Sequence, residues 1–275
     1  MTHSYLAYLA ALAAADIHPL GIAASRRLLA VLDLQPGQRV LEIGCGTGGT
    51  MIRTAQHTAV TVHGVDLMPD MLRAAQKRQR QTGQGANITL TQADSAALPF
   101  AGQTFDRVYT ESVLGFQPEA NAQTMLRQIF RVLKPDGRYV ANEAIWRAGV
   151  SPARAAAIYA ACMADFGICQ ASPQAWGLAE WSLLMQQTGF QVAAADLLEE
   201  VVTGEAADAV SDTNRLNRWR RLAHPRLAWQ SLVYRRRLAR HRGDGQWLES
   251  RLFVMEKNGT RMDADKSMRG SWFSG

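Results

Sequence analysis

No apolar run in the 275 residues reaches the ~18 that a membrane-spanning helix requires. The nearest approach, Tyr5 to Ala15, is short and Ala-rich and follows no basic stretch. It is therefore expected to be an amphipathic helix and not a secretory signal, which points to a cytoplasmic protein. Cysteine is scarce. Cys45, Cys162 and Cys169 are odd in number and lack CxxC spacing, which argues against a disulfide framework and against a metal site, and leaves free thiols. With 22 Gly, 9 Pro and 47% hydrophobic residues, wholesale disorder, a collagen-like repeat and a coiled coil are excluded. The length suits one enlarged domain, since domains cluster around ~100–200 residues.

Acidic residues are missing from one stretch. Ten arginines fall between Arg215 and Arg242, where there is no Asp or Glu. Outside it, 20 Lys+Arg face 24 Asp+Glu, so a mildly acidic body carries one basic segment. Only that segment asks for an anionic partner.

From residue 34 to 143 apolar runs alternate with amphipathic stretches, the rhythm of a parallel sheet covered by helices on both faces. Strands are predicted at Arg39 to Ile43, in "AVTVHGVD" ending at Asp66, in "NITLTQAD" ending near Asp94, in "FDRVYTES" and in "RYVANEAIW". Helices are predicted from Pro69 to Gln81 and from Asn121 to Leu133, the second closed by a reverse turn at "KPDG". Beyond Trp146 the pattern predicts helices over 151–168 and in "AEWSLLMQQTGF", and strands in "QVAAADLLEE" and "WLESRLFVMEKNG". The Arg-rich insertion between those strands is predicted helical from Asp212 to Arg242 with a break at Pro225, and residues 258–275 are expected to fray.

Gly44, Gly46 and Gly48 follow a strand and open a helix, where the absence of Cβ lets the backbone turn sharply and lie against a ligand. Asp66 ends the next strand, where a carboxylate can accept both hydroxyls of a ribose. Together they imply an adenosine-containing cofactor. The residues alone leave its identity open, because Gly44, Gly46 and Gly49 also satisfy the dinucleotide pattern GxGxxG.

The segments "VLEIGCGTGG", "VDLMPDML", "QADSAALPF", "FDRVYTESVL" and "FRVLKPDGRY", in that order, resemble the class I S-adenosylmethionine-dependent methyltransferases. The resemblance covers residues 36 to about 143 and returns weakly at 179–198 and 247–257. It implies an α/β Rossmann-like fold with a seven-stranded, mostly parallel sheet and helical lid insertions. It also divides the chain into a helical cap (1–33), a cofactor-binding core (34–146), a region of lid helices, last strands and Arg-rich insertion (147–257), and a flexible tail (258–275).

By the same resemblance, S-adenosylmethionine would lie against Gly44, Cys45, Gly46 and Gly48, with Glu42 supporting the loop from beneath. Asp66 would hold the ribose, Leu67 and Met68 would cover the adenine, and Asp94 with Ser95 would meet its amine. Thr110 would offer its carbonyl to the methionine ammonium. Asp94 and Ser95 also read as a helix cap. "IHPLG" resembles an "HPGG" element that closes over the methionine end in some relatives, with Leu20 in place of a glycine. This puts His18 near the acceptor, although it also reads as an ordinary residue at a helix start.

Methyl transfer from a sulfonium needs chiefly alignment and, for some acceptors, removal of a proton. Glu111 and Glu143 sit just past the fourth and fifth strands, on the side where a parallel sheet binds ligands. "YTESVLGFQ" resembles the segment of sterol, tocopherol and isoprenoid C-methyltransferases in which such a Glu faces the acceptor, making Glu111 the candidate catalytic residue and Glu143 a candidate substrate contact. Trp146, with Trp176, Trp181 and Phe166, suits an aromatic lid, and equally core packing.

The implied function is methylation of a small hydrophobic metabolite, at carbon in preference to oxygen or nitrogen, the acceptor being isoprenoid or aromatic with an anionic group. The arginines would clamp that group, touch an anionic membrane surface, or form a solvated helix face. A nucleic-acid methyltransferase is disfavoured because no "NPPY"-type motif follows the fourth strand and no Pro-Cys pair occurs. A non-catalytic cofactor-binding partner, a dehydrogenase and a homo-oligomeric assembly stay open.

Overall fold

The computed structural model describes residues 4–83, 87–199 and 224–258. Seven strands form one sheet: β1 (Arg39–Ile43), β2 (Thr61–Asp66), β3 (Ile88–Gln92), β4 (Phe105–Glu111), β5 (Leu133–Trp146), β6 (Gln191–Leu197) and β7 (Leu248–Glu256). Their spatial order is β3-β2-β1-β4-β5-β7-β6. All neighbours pair in parallel except β7, which is antiparallel to β5 and to β6. The order reverses between β1 and β4, which leaves a crevice beyond their carboxyl ends, where open α/β sheets bind ligands.

Eight helices accompany the sheet among the described residues: α1 (Ser4–Leu12), α2 (Gly21–Leu32), α3 (Gly49–His57), α4 (Pro69–Thr82), α5 (Glu119–Val132), α6 (Pro152–Phe166), α7 (Leu178–Gln187) and α8 (Pro225–Arg240). None is long and apolar enough to cross a membrane.

The central strands are buried on both faces, which is why they read as continuous apolar runs. Val40, Val62, Tyr109 and Val140 pack with Leu28 and Leu32 of α2 and Met51 and Ile52 of α3. On the opposite face, Leu41, Ile43, Val108, Tyr139 and Ala141 pack with Leu126 and Ile129 of α5 and Leu184 and Met185 of α7. Thus α2, expected to belong to a cap, is a layer of the main core. The α1 helix is peripheral, and its Tyr8 joins a separate cluster with Met71 of α4, Phe166 of α6 and Tyr234 of α8.

One boundary differs from the sequence reading. "KPDG" is not a reverse turn separating α5 from the fifth strand but lies within β5: Leu133 pairs with Phe105 and Arg138 with Arg107, so the intervening residues form a bulge. Asp136 takes a positive φ there (59°), and its N–H donates to Lys257 O at 2.8 Å, anchoring the bulge to the chain beyond β7. In the Arg-rich insertion Pro225 stands at the first position of α8, where no N–H partner is needed, and the expected helix before it lies outside the described residues. Arg215, Arg218 and Arg221 lie outside the described residues, as does the expected frayed tail from residue 259 onward.

Leu20, immediately before α2, has φ 63° and ψ 0°. An L-residue in that conformation costs ~1–2 kcal/mol, of which glycine's extra chain entropy would give back ~0.5–1. Leu20→Gly is therefore expected to raise the unfolding free energy by about 0.5–1 kcal/mol in urea titration. A fall in the midpoint would show that Leu20's packing outweighs its backbone strain.

Candidate functional site

The turn after β1 is built from three left-handed glycines, Gly44 (φ 71°), Gly46 (51°) and Gly48 (79°). At Gly44 the constraint is steric as well, since a Cβ would lie 2.3 Å from Val113 Cγ2. A Cβ at Gly46 would meet nothing within 4 Å, so this part of the loop presents bare backbone to open space. Cys45 turns the other way. Its buried thiol packs towards Gly64 of β2 and is pushed well above the ordinary cysteine value by burial, then by Glu42.

Asp66 ends β2 with both carboxylate oxygens engaged, one by Gly46 N–H and one by Met68 N–H, each at 2.8 Å. Burial raises its pKa while these amides pull it down. Each oxygen retains a lone pair for a further donor. Next to it Leu67 is 60% exposed, an apolar side chain held out beside the crevice, whereas Met68 packs against the α1 cluster. Asp94, beyond β3, accepts from Ala96 N–H at 2.8 Å in a turn that also holds Ser95; no helix follows there, so the helix-cap reading does not apply.

Residues 13–18 strap the loop from above. Thr47 Oγ1 donates to Ala14 O at 2.7 Å, Arg78 donates to Ala13 O at 2.7 Å, and Arg53 pairs with Asp16. The strap delivers His18, whose Nε2 lies 3.0 Å from Glu111 Oε2. Ser25 of α2 donates to both Glu111 oxygens (3.2 and 2.9 Å), and Asn142 Nδ2 stands 3.5 Å from Glu111 and 3.4 Å from His18 Nδ1. Burial alone would lower the His18 pKa, but the Glu111 charge and hydrogen bond, with Pro19 O and Asp16, together outweigh it and leave His18 above the ordinary value. Burial would likewise raise Glu111, and His18 brings it below the usual carboxylate range. The two form an imidazolium–carboxylate pair.

Beneath this pair Glu42 accepts from Tyr109 OH at 2.7 Å, and burial followed by the Glu111 charge pushes Glu42 well above the carboxylate range. Two buried polar atoms at the same end of the sheet, Asn142 Oδ1 and Ser112 Oγ, have no hydrogen-bond partner among the described residues. Such orphans are costly unless something supplies a partner.

Glu111 and Glu143 are on adjacent strands but on opposite faces. The register pairs Glu111 with Asn142, so the next residue points away. Glu143 is buried, accepts from the N–H groups of Val113 (3.2 Å), Leu114 (3.0 Å) and Gly115 (2.9 Å), and takes the Thr110 hydroxyl at 3.0 Å. It shapes the loop after β4 and is not presented to an acceptor. Trp146 is likewise enclosed, 1% exposed, with its indole N–H on Ser172 O at 3.0 Å. Trp176 and Trp181 stack edge to face in the main core and Phe166 joins the α1 cluster, so the four aromatics form no common lid.

Bare glycine backbone, a terminal carboxylate with spare lone pairs and an exposed leucine at adjoining strand ends fit an adenosine moiety. A methyltransferase-domain family model matches residues 40–137. The chain is 34% identical over 187 residues to the uncharacterized methyltransferase YodH of Bacillus subtilis, covering 68% of this chain and 74% of YodH. It belongs to the class I S-adenosylmethionine-dependent methyltransferases.

Two further likenesses are partial. The 24-methylenesterol C-methyltransferase 2 of rice is 31% identical over 117 residues, covering 42% of this chain and 32% of that enzyme. The solved structure of Haemonchus contortus phosphoethanolamine N-methyltransferase 2 with S-adenosyl-L-methionine superposes with TM-score 0.68 at 19% identity, over 94% of this chain and 58% of that one.

Within this methyltransferase, sequence reasoning overlooked Ser25, Thr50 and Asn142. Ser25 and Thr50 hydrogen-bond each other at 3.1 Å beside Glu111, and no spacing in the sequence connects them to it. Asn142 was detectable by strand alternation, since it is the β5 position that shares a face with Glu111.

Cofactor affinity is expected to depend on Asp66, because removing a buried hydrogen-bonded carboxylate costs ~1.5–3 kcal/mol. Asp66→Ala should weaken S-adenosylmethionine binding at least tenfold in calorimetry. Wild-type affinity with an unchanged circular dichroism spectrum would remove Asp66 from the site.

Proposed function

We propose that this methyltransferase methylates a carbon of a small hydrophobic acceptor bearing an anionic group, and that Glu111 is its catalytic residue. S-adenosylmethionine supplies a sulfonium methyl that needs no further activation. The chain's own contribution is then to hold, align and neutralise. In this reading the Gly44 to Gly48 loop, Asp66, Leu67, Met68, Asp94, Ser95 and the Thr110 backbone hold the cofactor, with Glu42 below.

The observation that carries the assignment is a buried carboxylate at the carboxyl end of β4, held by His18, Ser25 and Asn142. A carboxylate below its usual pKa is a weak base but a strong electrostatic partner for positive charge developing on a methylated carbon. The orphaned Asn142 Oδ1 would meet a donor on the acceptor or on the cofactor. The rice sterol C-methyltransferase among the relatives supports carbon as the target.

A second reading, transfer to nitrogen or oxygen, is favoured by the same ion pair, since His18 already neutralises Glu111 and an intrinsically nucleophilic acceptor needs only positioning. Glu111→Gln separates the two. For carbon transfer, kcat should fall at least ~100-fold while S-adenosylmethionine affinity stays near normal, as electrostatic and general-base groups typically contribute ~10²–10⁴. Retained turnover would move the target to nitrogen or oxygen, and lost cofactor affinity would assign Glu111 to the methionine end.

The anionic-group reading rests on α8. Arg237 and Arg240 are tied to Asp165 of α6, whereas Arg226, Arg235 and Arg236 are exposed, beside Trp229 at 65% exposure. Replacing Arg235 and Arg236 with Gln is expected to raise the acceptor's KM severalfold without altering cofactor affinity. Unchanged KM would leave a membrane contact or a solvated face. Loss of binding to anionic vesicles in the same variant identifies the former, and no vesicle binding by either protein the latter.

A further inference from the structure

At the end of α8 one cluster of metal-ligating side chains takes no part in the reaction outlined above. We propose that Cys162, His241 and Asp244 form a zinc site that clips the end of α8 to α6. The proposal departs from the sequence expectation of three free thiols and no metal.

The donor atoms of Cys162, His241 and Asp244 all lie within 4.8 Å of one another. Cys162 Sγ is 3.7 Å from His241 Nδ1, and Nδ1 is 2.7 Å from Asp244 Oδ2. A tetrahedral zinc ion, at ~2.3 Å from sulfur and ~2.0–2.1 Å from nitrogen, sets an S···N separation of about 3.6 Å. The Cys162–His241 spacing already matches, and the Nδ1···Oδ2 gap need open only to about 3.3 Å when the ion replaces the shared proton.

The remaining imidazole nitrogen gives an independent indication. His241 Nε2 lies 3.0 Å from Asp165 Oδ2. A metal-bound histidine nearly always donates its other N–H to a carboxylate, which fixes the ring and its tautomer. Nδ1 therefore faces the sulfur and carboxylate donors while Nε2 is held from behind. Thiolate, imidazole and carboxylate together select zinc over magnesium or calcium, with water completing the tetrahedron. The ligands come from α6 and from the turn after α8, so the ion would fasten the exposed basic helix to the body of the protein.

The test uses the full chain, reduced and stripped by chelator. Zinc titrated calorimetrically against a competing chelator should bind at one equivalent. Cobalt(II) in its place should give tetrahedral ligand-field bands with a thiolate-to-cobalt charge-transfer band. Cys162→Ser and His241→Gln should each weaken zinc binding at least hundredfold, Asp165→Asn about tenfold, and zinc should raise the Tm of the wild type but not of Cys162→Ser. S-adenosylmethionine affinity should be the same in all these proteins. Zinc affinity unchanged in both ligand variants would overturn the site, as would a wild-type cobalt spectrum without the thiolate band, which needs no variant to fold. The cluster would then be an ion-pair network centred on His241.

Discussion

Burial of carboxylates governs the ligand-binding end of this protein. Glu42, Asp66, Glu111 and Glu143 cluster towards the carboxyl ends of four neighbouring strands, where each must find donors or give up its charge. Each finds a different solution. Asp66 takes the amides of the glycine loop and of Met68, and Glu143 takes three consecutive amides of the loop after β4. Glu111 recruits a histidine from a strap before α2, and Glu42, with a tyrosine hydroxyl for a partner, is pushed towards its neutral form. The loops around the crevice are shaped by what these four groups require.

This arrangement also links the two ends of the crevice. Val113 fills the space above Gly44 that a side chain would occupy, and Val113 N–H is one of the donors on Glu143. The cofactor loop and the loop after β4 are therefore packed against each other through a glycine. On the other side Thr47, Arg53 and Arg78 fasten the 13–18 strap to the glycine loop, so His18 reaches Glu111 only because the cofactor loop holds the strap in place. Leu20 bears a left-handed backbone at the point where the strap turns into α2. The resembling "HPGG" element has a glycine at that point, which gives its departure in this chain a physical meaning.

Register and strand alternation decide which acidic residues share a face. Glu111 and Glu143 both follow apolar runs, so both read as acceptor-side candidates, with Glu111 the sharper. The parallel register instead pairs Glu111 with Asn142, and the period of two turns Glu143 to the opposite face, where it serves as a scaffold for backbone amides. Trp146, three residues on, sits in the α6 packing for the related reason that a large side chain at the β5–α6 junction is most stable when enclosed.

The sequence alone determined the strands, most of the helices, the glycine turn, the Asp66 position and the family. All of these are written in local spacing: apolar period, turn residues and a carboxylate at a strand's end. Tertiary structure decided which side chains face one another. His18, Ser25, Thr50 and Asn142 come to Glu111 from four separate elements, and Cys162, Asp165, His241 and Asp244 come together from the two ends of the lid region. No periodicity encodes such meetings, because they depend on the twist of the sheet, the angle at which helices cross it and the burial cost that makes a charged group seek the nearest donor.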